Sequence, residues 1–158
     1  MKLVGAIFLI LSGVIWGIEQ AGSLKRRVER LTDLFCLVRQ MLTEITYSSR
    51  PLSEMIAAGD SLFCRKAIER ESFADDPASA LAWAGDQILT CQKDKDLLSG
   101  FTQNLGTSDT QGQQEHLQLY LALIGDRLQE ARDAYGQKRR LYLALGLFAG
   151  LTVCIVIL

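Results

Sequence analysis

The side chains able to do chemistry are few and scattered. His116 is the only histidine, so neither a histidine-based metal cluster nor a histidine-based catalytic arrangement has its ingredients. Cys36, Cys64, Cys91 and Cys154 stand far apart and form no CxxC pair. Metal sites and small disulfide frameworks use clustered or regularly spaced cysteines, and these read as buried free thiols in a reducing compartment. Asp75-Asp76 and the pair Asp94 and Asp96 have the charge for a cation. Paired acids at helix starts serve as caps and dipole partners, and that role suffices here. Glu44 and Tyr47 lie three apart with Arg50 in reach, which suits a local polar contact. No phosphate-cradling glycine loop and no nucleophile elbow occurs. The reading is a chain with no catalytic residue, no metal and no cofactor: not an enzyme.

The elements that hold these residues are organised by the two ends of the chain. Residues 141–158 contain no charge and follow Lys138-Arg139-Arg140; residues 3–18 are also uncharged, and Lys25-Arg26-Arg27 follow them. Eighteen helical residues span about 27 Å, near the hydrocarbon thickness of about 30 Å. The expectation is a membrane helix over 3–23, a helical domain over 24–140 and a second membrane helix over 141–158. Segment 3–23 lacks the small-residue cleavage site of a signal peptide, and its basic cluster lies on the wrong side for one. Basic residues beside membrane helices stay in the cytoplasm. The domain is therefore expected to be cytoplasmic, with both termini outside. Gly13 with Gly17, and Gly146 with Gly150, form one small-residue motif per segment, the kind that lets membrane helices pack closely.

The 158-residue chain has a net charge of −1, but the charge is polarised. Between residues 51 and 137, fourteen acidic residues face seven basic ones. The basic triplets suit anionic lipid headgroups, and the acidic middle argues against nucleic acid.

Within the domain, Leu24, Val28, Leu31, Phe35, Val38, Leu42 and Ile45 recur at spacings of four and three, predicting one long helix over 24–48 that stops before Pro51. Pro51 opens a short helix with Leu52, Met55 and Ile56 that ends near Gly59. A third, over 61–70, turns Leu62, Phe63, Ala67 and Ile68 inward. Asp75-Asp76-Pro77 starts a fourth. A fifth runs over 93–105 and ends at Gly106, where glycine adopts the left-handed conformation cheaply. Ser108 with Gln111 forms a capping box for a last helix through Leu117, Leu121, Ile124, Leu128, Ala131 and Tyr135, running unbroken into the tail. With no strand-type alternation, the fold class is all-α. The first and last helices pair antiparallel and the shorter ones complete a bundle.

Two groups of residues carry a resemblance. Glu44-Ile45-Thr46-Tyr47 with Pro51-Leu52-Ser53-Glu54, and Leu105-Gly106-Thr107-Ser108-Asp109 with Gln113 and Leu117, resemble the stage III sporulation protein AB family of endospore-forming bacteria over essentially the whole chain. Arg50 stands where that family tends to place a small hydroxyl residue. The resemblance implies two membrane helices around a helical domain, and a place in the membrane around the forespore. It also implies membership in the channel complex joining mother cell and forespore, and similarity to the inner-membrane platform (F) protein of type II secretion. The partners so implied are other membrane subunits of that complex, with a cytoplasmic ATPase among the candidates. Glu44, Tyr47, Pro51, Leu52, Leu105, Gly106, Ser108, Asp109 and Gln113 are then the residues to examine for partner contact; capping alone also accounts for Gly106, Ser108 and Asp109.

The rival class is a membrane-tethered helical receptor working through a separate partner. Sensors place such a bundle outside the membrane, whereas both basic clusters here point inward. A small pore-former lacks a polar stripe on either apolar segment.

Overall fold

The computed structural model describes the side chains of residues 22–48, 50–138, 140 and 141. The helices among the described residues are, in order, α1 (Lys2–Tyr47), α2 (Leu52–Ala58), α3 (Leu62–Ile68), α4 (Pro77–Ile88), α5 (Gln92–Gln103) and α6 (Thr110–Ile157). A single 3-10 turn, Glu71–Phe73, joins α3 to α4. No strand occurs among the described residues, and the all-α class holds.

Local chemistry sets most of the boundaries. Pro51 sits extended (φ −65°, ψ 148°) at the start of α2. Asp76 accepts the Ser79 N–H at 2.9 Å to cap α4, with Pro77 in its first turn. Ser61 Oγ accepts from Phe63 N–H at 3.1 Å at the head of α3. Asp33 reaches across from α1 and its Oδ2 accepts from both Ser61 Oγ and Leu62 N–H at 2.9 Å. That long-range cap ties α3 to α1, satisfying donors that a helix start leaves open.

The chain divides into two compact units, one of Met1–Arg26 with Glu130–Leu158 and the other of Arg27–Gln129. In the first, Ala131 is buried and Leu141 exposed. The second is the bundle. Its core joins Leu34, Val38 and Met41 of α1 to Ile56, Phe63, Leu81, Leu98, Phe101, Leu117 and Ile124. Helices α3, α4 and α5 stack in succession. Gly85 makes the α4–α5 approach possible: a Cβ there would stand 2.1 Å from Leu98 Cδ2. Helices α1 and α6 run antiparallel. Phe35 faces Gly125, and Thr46 lies 3.5 Å from Gln114, so a step forward on α1 matches a step back on α6.

Several expectations are corrected. Leu62 and Ile68 are substantially exposed, while Phe63, Cys64 and Ala67 form the buried face of α3. A seven-residue helix has only one inward face, and Leu62 and Ile68 fall outside its arc. The buried face of α1 is wider than the expected seam and includes Leu34, Leu37 and Met41, because α6 and the short helices both pack on it. Cys36 is exposed rather than buried.

Among the described residues no helix is long and apolar enough to cross a membrane. The segments 3–23 and 141–158, apart from their inner ends, lie outside the described residues, as do Gly13, Gly17, Gly146, Gly150, Arg139 and Cys154.

Candidate interaction site

The start of α2 at Pro51 and the turn at 104–109 bring the two resemblance words together at one end of the bundle. Between them lies an open groove of about 220 Å³. Ile45, Leu52, Met55 and Leu105 supply its apolar lining, and Ser48, Arg50, Ser108, Thr110 and Gln113 its polar atoms.

Gln113 shapes one wall. Its side chain is only 6% exposed, and all of its polar atoms are used. Oε1 accepts the Gly106 N–H at 3.0 Å. Nε2 donates to the Asn104 carbonyl at 3.1 Å and to Ser108 Oγ at 2.8 Å. Gly106 has φ +80°, the one left-handed residue among those described, as its place after α5 requires. This local network fixes the α5–α6 turn against Leu52, whose Cδ2 lies 3.9 Å from the Cβ position of Gly106. Asp109, rather than Ser108, caps α6: its Oδ1 accepts from Gly112 N–H at 3.1 Å and its carbonyl from Gln113 N–H at 2.9 Å. Ser108 Oγ is engaged by Gln113 instead, and Gln111 pairs with Glu115 at 3.3 Å, so the expected capping box does not form.

Exposed recognition chemistry follows along the chain from Ile45 of the groove lining. Tyr47, on the last turn of α1, is 86% exposed, and Arg50, three residues on, lines the groove and is also exposed. Tyr and Arg are the residue types that most often dominate protein interfaces. Glu44 makes no contact with Arg50 of the kind expected. It accepts from Gln40 Nε2 at 2.9 Å, and its Oε2 is buried with no hydrogen-bond partner among the described residues. Ser48 and Thr110 carry no signal of type or spacing; Ile45 and Met55 read as core-facing residues and Arg50 as a local partner of Glu44, and none of these three as groove lining.

The basic and acidic residues noted in the sequence are deployed otherwise. Arg27 grips Asp94 with its guanidinium fork: Nε donates to Oδ2 at 2.7 Å and Nη2 to Oδ1 at 2.8 Å. Asp94 is only 1% exposed, so it belongs to the interior and not to an acidic surface shared with Asp96, which is exposed and accepts from Gln92. Lys25, Arg26, Lys138 and Arg140 are exposed. Pairing a charge across elements demands an excellent geometry in the interior, and the bidentate fork supplies it.

His116 is accounted for by packing. It stacks on Phe101 at 5.6 Å between ring centres, lies 4.7 Å from the Tyr120 ring, and its Nε2 is 2.8 Å from the Phe101 carbonyl. Burial, with the charges of Asp33 and Glu44, pushes the Cys64 thiol up to about 11. A thiol so raised is a poor nucleophile at neutral pH. Among the described residues no cluster of three or more histidine, cysteine or acidic side chains could hold a metal ion.

Comparison with known proteins agrees over the whole chain. The family model for stage III sporulation protein AB matches residues 2–61 and 66–158. Stage III sporulation protein AB of Bacillus subtilis (strain 168) is 24% identical over 170 aligned residues, covering 100% of this chain and 99% of that protein. No solved structure matches. On that full-length match the chain belongs to the stage III sporulation protein AB family, and its role is in sporulation.

Proposed function

We propose that the chain is a non-catalytic, membrane-anchored platform subunit of the channel complex between mother cell and forespore, holding neighbouring subunits through the groove end of its bundle. The observation that supports this reading is the convergence of two resemblance words, far apart in sequence, on one groove lined by Arg50, with the exposed Tyr47 three residues before it in the chain. A small apolar floor with a polar rim and an exposed Tyr–Arg pair is the composition of a protein-docking site. The neighbours in question are other membrane subunits of the complex, with a cytoplasmic ATPase among the candidates, and likeness to the type II secretion F protein belongs to the same reading. Its anchors are the apolar segments 3–23 and 141–158, and the basic residues beside them favour a cytoplasmic bundle with both termini outside.

The test is co-purification of the membrane complex from sporulating cells carrying Tyr47→Ala with Arg50→Glu. Both side chains are exposed, so the bundle keeps its helical content. Loss of co-purifying subunits and of spores is the expected result; an intact complex and full spore yield would remove the groove from the reading. A single cysteine placed at Thr107, with the native cysteines replaced, checks the orientation. It should resist a membrane-impermeant thiol reagent until the membrane is opened.

A further inference from the structure

One acid of the middle domain, Asp94, is buried against Arg27 and adds nothing to the domain's surface charge. Two of the domain's other acids bracket an exposed apolar pair on α6. Leu117, Ile124 and Leu128 face the core. On the outer side Leu119 is 57% exposed and Leu123 39% exposed, with exposed Ala122 between them. Glu115 stands one turn before Leu119 and Asp126 just under one turn after Leu123, both exposed. Spacings of four, four and three keep these residues on one line along the helix. From residue 115 to 126 there is no lysine or arginine.

We propose that this stripe is a second docking surface, and that its occupant is a basic amphipathic helix of a partner protein. One exposed leucine is ordinary. Two leucines one turn apart, bracketed by acids, match the anchor spacing by which helices pack on helices. Charge selects the occupant. A second copy placed stripe to stripe sets Glu115 against Glu115 in a parallel register, or against Asp126 in an antiparallel one, and both pairings repel. An anionic lipid surface is repelled by the same carboxylates. A helix carrying leucines between lysines or arginines meets apolar surface with apolar surface and each acid with a base. None of the groove residues takes part, so the proposal stands apart from the reading of the groove.

The experiment places a photo-crosslinking amino acid at Leu119 or Leu123 of the full chain in sporulating cells and identifies the cross-linked peptide by mass spectrometry. The expected capture is a segment with apolar residues at helical spacing flanked by lysine or arginine. The double reversal Glu115→Lys with Asp126→Lys leaves the leucines in place and should cut the yield at least fivefold. Circular dichroism of the purified chain checks that the helices persist, and Glu115→Gln with Asp126→Asn, which removes charge with least change of shape, should give an intermediate yield. The proposal is overturned by capture of a second copy of the chain, of lipid, or of an acidic or uncharged segment. It is equally overturned by no capture, or by a yield that neither pair of substitutions changes.

Discussion

Asp94 and Gln113 are both buried polar residues of the bundle, and they are satisfied in opposite ways. Asp94 is charged and draws both of its hydrogen bonds from one guanidinium, 67 residues away in the chain. Gln113 is neutral and spreads three bonds over partners no more than nine residues away. The first clasp joins α1 to α5 and therefore holds two elements of the bundle in place. The second holds only a turn, but that turn is a wall of the groove. Loss of the distant clasp should therefore reach the whole domain, whereas loss of the local one should reach the site first.

The largest effect is expected from Asp94→Ala, which removes the buried carboxylate that the Arg27 guanidinium grips. Breaking a buried pair from one side costs about 3–5 kcal/mol, so thermal unfolding of the purified chain should shift far down. The double substitution Arg27→Met with Asp94→Leu removes both charges and should recover most of that loss. Equal destabilisation in the single and double variants would mean that the two residues are not coupled, and the contrast with Gln113 would fail.

Cys64 tests what burial does without such a clasp. Its thiol is raised to about 11 from an ordinary 9.0. Below pH 9 both folded and unfolded chains keep the proton. Between pH 9 and 11 the unfolded chain releases a proton that the folded chain retains, so stability falls with rising pH, and it levels off above. Two pKa units correspond to about 3 kcal/mol. Unfolding midpoints measured across this range should show the decline, and Cys64→Ala should flatten it relative to the parent.

Gln113→Ala strips Gly106 N–H and Ser108 Oγ of a partner at once. A cost of about 1 kcal/mol follows for the lost hydrogen bonds, since the turn residues other than Leu105 are exposed and water can meet the freed groups. Amide exchange should accelerate at residues 104–109 while α3 and α4 keep their protection. A uniform acceleration across the bundle would make Gln113 a global clasp like Asp94. Gly106→Ala should weaken the same turn by about 1 kcal/mol, because alanine is strained at φ +80°.

The two clasps also differ in how far they could be foreseen. Gly106 announced the turn, since a glycine after an amphipathic run marks a left-handed helix end, and Pro51 and Asp76-Pro77 announced α2 and α4. Helix periodicity gave the all-α class. Arg27 read only as one of a basic triplet beside an apolar segment, and Asp94 as one of two acids on a helix start. Their pairing is a contact between α1 and α5 that no local spacing encodes. Leu62 and Ile68 failed for a related reason: on a short helix, hydrophobicity does not say which arc faces inward. The groove was half legible. Its words were visible at 44–54 and 105–113, but their meeting depends on α1 and α6 running side by side, and Arg50 read as a partner of Glu44 rather than as lining of a groove.

The smallest expected effect separates two neighbouring side chains of the local latch. Spacing alone favoured Ser108 as the cap of α6, since serine followed by glutamine three positions later is a capping-box pattern. The geometry gives the cap to Asp109, whose carboxylate accepts the Gly112 N–H, while Ser108 Oγ accepts from Gln113. Asp109 also puts a negative charge at the positive end of a 48-residue helix, which adds to its capping value. Asp109→Ala should therefore cost about 1 kcal/mol and fray the first turn of α6. Ser108→Ala removes one of the two acceptors of Gln113 Nε2, and the other, the Asn104 carbonyl, remains; its effect should be the smaller of the two and confined to the 104–109 turn. Amide exchange at Gly112 is the discriminating readout. Faster exchange in Asp109→Ala than in Ser108→Ala is expected; the reverse order would restore the capping box and make the Gln113 latch a consequence of the cap rather than its neighbour.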